Sequence, residues 1–555
     1  MKKNTFIITA ILLIGLILRL SGINFGLPSK NQALTTYNPD EPLTIYSLEA
    51  MNPSKLDFSP KRAFLWGGFS VYIVGFFLKL SQLLGIVNPA SRDFLIANLR
   101  EADKLYIIGR LLSVFFGTAT ILILYLTVKK AYNKTTGLIS AGLLSITGIH
   151  VINSFYVRPD VIMLFFVSLS VYFAVKILSG ENTTGNYLLA GIFIGLGTAT
   201  KLSGAVYGIV PFVAHFLVPG NSYIKKAFAR KLWIYLGAGA LGFFIGCPYS
   251  VFDYKTFLYY MDMNFKFSNA TTHPIELLLH GKGWISYLTY YLPHGAGFTL
   301  VITGISGFVY LFIKNLAFKE RRNVFDILFL TSTVIVYYVI AGTKNQAAWY
   351  TLPVLPFFIL FTAKLMETIS EIKAFNKLTG KIIFFAVLIS IVFGTAVNTF
   401  AYLKLYTSAN TRELASGWIK NNVDTKQTVA IARSYFWTPG ILRQYNPPFR
   451  LLMGGDIQSN LTDAIIGLEK IAGKADYVVI SEFEYRDFTY PKISQEMFPE
   501  HYAALEKIMN NPAKYEKIAV FNKQAEFLGF NFVKNYPPSD WLIPNPEIII
   551  YKRKK

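Results

Sequence analysis

Apolar runs separated by short polar breaks fill the chain from Thr5 to about residue 402. Several approach the roughly 20 residues a helix needs to cross a bilayer. The first covers about Thr5 to Ile23. No small-residue cleavage pattern follows it, so it reads as an uncleaved span. Further spans are expected near 105–128, 136–152, 160–178, 187–200, 203–218, 232–247, 296–314, 324–342, 350–366 and 382–402, about eleven in all. The run Phe64–Leu84 is also apolar, but it holds Gly67, Gly68 and Lys79 and reads as an amphipathic helix at the interface. Two longer segments interrupt the series. Residues 24–103 include a short helical pattern from Leu43 to Met51, and residues 248–295 are rich in Tyr, Phe and His. Connections of that length are usually functional.

Beyond residue 405 the pattern changes: charges rise and apolar runs shorten. Helical periodicity at Arg412–Asn422 precedes a strand-like Thr428–Ala432. A second helix at Thr462–Ala472 precedes Tyr477–Ile480, and Glu547–Tyr551 reads as a final strand. Helices alternating with short buried strands predict a soluble α/β domain over 406–555, following a membrane domain over 1–405.

Composition sharpens this picture. Hydrophobic residues make up 53% of the 555, charged residues only 15%, against about a quarter charged in soluble globules. The net charge of +22 raises the question of nucleic acid. Its distribution argues otherwise: residues 1–405 hold 35 Lys and Arg against 16 Asp and Glu, whereas 406–555 hold 19 against 16. The excess sits in alternate short loops, at Lys129, Lys130 and Lys134, then Lys225, Lys226, Arg230 and Lys231, then Lys314, Lys319, Arg321 and Arg322, then Lys373, Lys377 and Lys381. With Lys2 and Lys3 this places the N-terminus in the cytoplasm and the C-terminal domain outside a plasma membrane. The single cysteine, Cys247, excludes an intramolecular disulfide and a cysteine-based metal cluster.

Carboxylates are scarce in the membrane part, so the adjacent pair Asp40-Glu41, bracketed by Pro39 and Pro42, stands out. It suits a general base with a neighbour that binds an acceptor or tunes it; a polar turn after a span is the plain alternative. Arg158-Pro159-Asp160 falls on the same face, as a ligand pair or as a snorkelling Arg with a capping Asp. Lys201, in Thr200-Lys201-Leu202, stands alone among apolar and small residues, as a lipid-phosphate ligand or an interfacial anchor. Lys344 with Trp349-Tyr350 fits a phosphate and sugar contact or an aromatic belt. His273, Glu276 and His280 leave room for a divalent cation, though the spacing is not that of the helical zinc motif. All of these fall on the external face, around a groove at the lipid surface. A transporter or lipid flippase is the alternative class; such proteins carry broken helices and midplane charges, whereas these charges gather at one face.

An external Asp-Glu loop, an interfacial helix and Gly-Arg-Leu-Leu-Ser at 109–113 opening the next span together resemble the GT-C membrane glycosyltransferases. The likeness is greatest to the polyprenyl-phosphate-sugar branch, which includes protein O-mannosyltransferases and the lipid A aminoarabinose transferase. Arg158-Pro159-Asp160 and Thr200-Lys201 look like that branch's external turns, and Ala475–Ser481 with Glu484-Tyr485-Arg486 like its external domain. The resemblance implies an inverting transfer of mannose or a related hexose from a polyprenyl-phosphate donor to a protein, glycan or lipid. Asp40 would be the base, and Arg158 and Lys201 would face the leaving phosphate. The aminoarabinose transferase carries an Arg soon after Asp-Glu and a Lys-Pro in its interfacial segment. This chain has Pro42-Leu43 and Phe64-Leu65-Trp66, with Lys61 and Arg62 nearby as further phosphate candidates.

Overall fold

The computed structural model describes the chain apart from residues 1, 221, 271–272, 318–322, 371–376, 445–446, 457–458, 532–535 and 555. The expected loop charges Lys319, Arg321, Arg322 and Lys373 lie outside the described residues, as do the side chains of Lys2, Lys3 and Lys377.

The protein is a polytopic helical membrane protein with a sheet-containing C-terminal domain. Among the described residues six helices are long and apolar enough to cross a membrane: Leu99–Ala131, Pro159–Leu178, Tyr223–Gly246, Phe298–Ala317, Val324–Ala341 and Leu378–Asn422. The other expected spans fall on shorter pieces, so length and apolarity alone do not reproduce the count of eleven. The span expected near 136–152 is split into Lys134–Ile146 and Gly148–Asn153 by Thr147, whose backbone is extended. The one near 203–218 opens with a 3₁₀ stretch, Leu202–Gly208, before the helix Ile209–Leu217. Helices Thr184–Thr200 and Arg230–Gly246 pack backbone to backbone. A Cβ on Gly195 would sit 2.2 Å from the Gly239 carbonyl oxygen, and one on Gly242 2.4 Å from that of Ile192. Small residues of this kind let membrane helices approach closely.

Residues 24–103 fold over the mouth of the bundle as helix Glu41–Glu49, a 3₁₀ turn Lys61–Leu65 and helix Phe69–Leu83. The last buries Ser70, Val71 and Val74 and exposes Phe76, Phe77, Leu80 and Leu83, which is the two-sided character expected of it. Residues 248–295 form helices Tyr254–Asn269 and Pro274–His280 rather than an irregular loop.

The C-terminal sheet has the strand order Arg450–Met453, Thr428–Ile431, Tyr477–Ser481, Ile548–Arg553, Tyr515–Phe521. The first three strands are parallel, and Ile548–Arg553 is antiparallel to both of its neighbours. Alternate residues face opposite sides. Val429, Ile431, Tyr477 and Val479 meet Ala415 and Ile419 of helix Thr411–Asn422. Ala430, Val478 and Ile480 meet Ala464 and Leu468 of helix Leu461–Ala472. The boundary expected at 405–406 falls inside the last turns of helix Lys377–Thr407.

Two arginines hold this domain over the bundle. Fully buried Arg412 donates to the carbonyls of Phe436, Ile543 and Pro544 and lies 3.7 Å over the Tyr37 ring. Arg443 donates to Asn31 Oδ1 at 2.5 Å and Thr35 Oγ1 at 2.9 Å. Both grip the segment that leads into Asp40-Glu41.

Candidate active site

Asp40 stands at the amino end of helix Glu41–Glu49, which starts here because Pro42 falls at a position where its missing N–H costs nothing. Asp40 makes no capping hydrogen bond with its side chain. Its carboxylate, 36% exposed, turns instead to Arg158 Nη2 at 3.2 Å. Glu41 points the opposite way. It is fully buried, and each oxygen accepts two hydrogen bonds: Oε1 from Arg110 Nε and Val157 N, both at 2.9 Å, and Oε2 from Arg110 Nη2 at 2.7 Å and Thr36 Oγ1 at 2.6 Å. Arg110 spends its remaining donor, Nη1, on the carbonyls of Ile23 and Phe25. Two neighbours in sequence thus have different surroundings: Glu41 fastens the turn to the bundle, and Asp40 is left facing outward.

Arg158 immediately precedes Pro159 and has an extended backbone, as steric conflict with the proline ring requires. Its side chain is 5% exposed. Besides Asp40 it reaches Asp160 Oδ2 at 3.5 Å and lies 4.2 Å over the Trp349 ring. Its Nε and Asp160 Oδ2 are buried with no hydrogen-bond partner among the described residues. Asp160, in the first helical turn, accepts from Lys201 Nζ at 2.6 Å. Lys201 ends helix Thr184–Thr200, is 16% exposed and lies 5.2 Å over the Tyr350 ring. The Leu202 N–H donates to the Trp66 carbonyl at 2.7 Å, which docks the Lys61–Leu65 turn onto this end. Gly67 is needed there, because a Cβ would lie 2.1 Å from the Ala199 carbonyl oxygen.

The result is a line of alternating charge, Asp40, Arg158, Asp160, Lys201, flanked by Trp349 and Tyr350. Such a line can take a proton at its exposed end and offers two oriented cations. A groove of about 440 Å³ runs between the helices, lined by Ile194, Gly195, Thr198, Phe212, Leu236 and Gly239; Thr198 lies in the last turn of the helix that Lys201 ends.

Other candidates lie elsewhere. Lys61 pairs with Asp57 at 3.1 Å and Asp253 at 3.6 Å. Arg62 and Lys344 are exposed, and neither makes an ion pair with the line. Glu276 does not join His273 and His280 in a ligand set. It accepts from Arg486 Nη2 at 2.7 Å, Ser539 N at 2.8 Å and Tyr291 OH at 2.7 Å, while His280 stacks on Tyr290 at 3.6 Å. Among the described residues no group of three His, Cys, Asp or Glu is placed to hold a metal ion. The divalent cation for which the sequence left room finds no ligand set here: Glu276 is paired with the buried Arg486 instead. His273 faces Asp487 at 3.8 Å. Burial opposes its charge, but the Asp487 and Glu276 carboxylates outweigh burial and raise its pKa.

One carboxylate escaped the reading of the sequence. Asp540, from the C-terminal domain, accepts a hydrogen bond from the backbone N–H of Ala348, next to Trp349. Burial first, then the charge of Glu276, push its pKa up to about 7, against the pull of Ala348 N–H, His273 and Arg158. Its signal was weak: an acid in a Pro-Pro-Ser-Asp-Trp turn at 537–541, nearly 200 residues from the turn it touches.

Residues 96–252, which include Arg110, Arg158, Asp160 and Lys201, match the family model described as dolichyl-phosphate-mannose-protein mannosyltransferase. Over that stretch the sequence is similar to this family of membrane mannosyltransferases. The fold of the protein is similar to that of ArnT from Cupriavidus metallidurans bound to undecaprenyl phosphate. That likeness has a TM-score of 0.51 and 13% identity, over 87% of this chain and 94% of that one. It is also similar to the Archaeoglobus fulgidus oligosaccharyltransferase tethered with an acceptor peptide, with a TM-score of 0.50 and 13% identity, over 96% of this chain and 74% of that one. No curated protein matches the sequence.

Proposed function

We propose that this protein is a GT-C membrane glycosyltransferase that moves mannose or a related hexose from a polyprenyl-phosphate donor to an acceptor hydroxyl or amine, with inversion, on the external face of a plasma membrane. The observation that carries this reading is the line Asp40–Arg158–Asp160–Lys201, together with an apolar groove lined in part by Thr198, in the last turn of the helix that Lys201 ends. The groove suits a prenyl chain, and the two cations suit its phosphate. ArnT, which shares the fold, was crystallised with a prenyl phosphate.

In this mechanism Asp40 removes a proton from the acceptor as the acceptor attacks the anomeric carbon from the face opposite the phosphate. The sugar–oxygen bond breaks, and its electron pair goes to the phosphate, which gains one negative charge. Asp40 loses one at the same moment. The Asp40–Arg158 pair links the two sites: Arg158 turns from Asp40 to the bound phosphate, where the charge then develops. Stabilising that charge with pre-oriented donors is generally the largest catalytic effect. Asp160 keeps both cations in place, and Glu41 with Arg110 fixes the turn that carries Asp40. Lys61, Arg62 and Lys344 are left to contacts at the membrane surface.

Purified protein incubated with a panel of radiolabelled polyprenyl-phosphate sugars and an envelope extract tests the reading. Label should pass from one donor to an acceptor. Intact donors throughout, in a preparation that binds them, would refute it.

A further inference from the structure

The charge line ends at Asp40, and just beyond it lies a second cavity, of about 460 Å³, between the bundle and the C-terminal domain. Pro39, Trp349 and Asp540 form the wall towards the catalytic line. The opposite wall comes from three places in the sheet domain: Arg433 to Trp437 after strand Thr428–Ile431, Asn460 to Thr462 beyond strand Arg450–Met453, and Glu482 to Arg486 after strand Tyr477–Ser481. These are the carboxyl ends of the three parallel strands. From the central strand the chain goes first to the neighbour on one side and later to the neighbour on the other. Open α/β sheets bind ligands in the crevice at such a reversal, outside the carboxyl ends of the strands. The volume is that of an ordinary small-ligand pocket.

The lining narrows the chemistry. Phe483 and Trp437 stack with rings 18° apart, and Arg433 lies over Trp437 at 5.1 Å and Tyr435 at 4.5 Å. Arg486, the other arginine here, is held by Glu276 at 2.7 Å and Asp487 at 3.3 Å. Arg433 has no carboxylate within ion-pair distance among the described residues. It donates from Nη1 to the Ser459 carbonyl at 2.5 Å, and its Nε is buried without a hydrogen-bond partner among the described residues. Asn460, Thr462 and Glu482 add donors and acceptors beside these rings. Among the described residues Arg433 is the arginine of this lining without a carboxylate partner, and amid ring faces and mixed hydrogen-bonding groups it matches a hydroxylated ring that carries an anion. Among the described residues no strand lines the cavity, which leaves it without the backbone ladder by which an extended peptide is commonly held.

We infer that this cavity is the acceptor subsite and that the acceptor is a saccharide bearing a carboxylate or phosphate, its anion on Arg433 and its free hydroxyl directed past Pro39 to Asp40. The role as acceptor rests on the transferase reading; the binding of an acidic saccharide does not.

Binding is therefore measured without donor, by calorimetry on the full-length protein. The probes are a glucuronate-containing oligosaccharide, a phosphorylated oligosaccharide, their neutral counterparts and an acidic peptide. One or both acidic saccharides should bind, and which does so identifies the anion. Losing a charge-assisted contact should weaken binding about ten- to a hundredfold in Arg433→Gln and for the neutral counterparts. Arg433→Lys should recover part of the loss. Thr462→Trp, on a half-exposed position that lines the cavity, should block binding even if Arg433 variants fold poorly. Equal binding of neutral and acidic saccharides, or binding of the peptide alone, overturns the inference. Acidic-saccharide binding without transfer from any donor supports the site and refutes only the transferase reading.

Discussion

Exchanging each of the adjacent carboxylates for its amide should damage the protein in two unlike ways. In Glu41→Gln one oxygen becomes an NH₂ group. Whichever way the amide turns, two of the four donors now around Glu41 face another donor, and the buried Arg110 guanidinium loses its counter-charge. Breaking a buried ion pair by removing one partner costs about 3–5 kcal/mol. The heat-inactivation midpoint in detergent should fall by several degrees, while the surviving folded protein turns over at near the normal rate. Asp40→Asn removes one ion pair at a carboxylate that is 36% exposed, and exposed pairs are worth about 0–1 kcal/mol. Its midpoint should hardly move, whereas single-turnover transfer should drop by about 10² to 10⁴, the usual contribution of a general base. Donor binding should survive, because Arg158 and Lys201 remain. Both variants are measured for heat inactivation, donor binding and single-turnover transfer. An Asp40→Asn protein that transfers sugar at the normal rate would refute the mechanism. A Glu41→Gln protein with normal stability and a lost rate would reverse the two roles.

Three further outcomes are expected. Arg158→Ala and Lys201→Ala should each cut the rate at limiting donor by about ten- to a hundredfold, as loss of a charge-assisted hydrogen bond implies; unchanged rates in both would make these cations structural. Asp540 has its pKa raised from 3.8 to about 7 in the folded protein, so folding favours its protonated form and its contribution to stability declines as pH rises from 3.8 to about 7. His273, also raised, acts in the same direction. Thermal inactivation compared with Asp540→Asn across this range isolates the aspartate: the variant should be the more stable near pH 8, with the difference shrinking towards pH 4, and a constant difference would count against the assignment. Reporter fusions at Tyr132, Ser222 and Asn410 should read inside, inside and outside, and a cytoplasmic Asn410 would remove the site from the external face.

How much of this was legible in the sequence depends on how local each determinant is. Apolar runs and helix–strand periodicity are local, and they placed helices at Pro159–Leu178 and Val324–Ala341 and strands at Thr428–Ile431 and Tyr477–Ser481 within a few residues. Strands Arg450–Met453 and Tyr515–Phe521 were missed; both lie at the sheet edges, where exposed positions such as Arg450, Met453, Glu516 and Lys517 dilute the apolar signal. The scarcity of acids in the membrane part drew attention to Asp40, Glu41, Arg158, Asp160 and Lys201. Composition could not say that Glu41 turns inward, because that depends on Arg110, 69 residues away. The same limit explains Glu276: its helical spacing from His280 suggested a ligand pair, but its partner, Arg486, lies 210 residues further on.

Charge balance along the line gives a reason for its order. With both acids ionised, Asp40, Arg158, Asp160 and Lys201 sum to zero, so a donor phosphodiester would bring an unbalanced negative charge into a site whose middle members are about 5% exposed. Asp160 is held by both cations, whereas Asp40 is held by Arg158 alone and is the more exposed. It is therefore the member that can loosen when phosphate arrives and Arg158 turns towards it. Asp40 is then released from its cation only when donor is bound. In this arrangement the site acquires its base by binding its donor. Arg158→Ala should therefore lose the ordered dependence of acceptor binding on donor along with its rate, a coupling that a cation serving only as a membrane anchor would not provide.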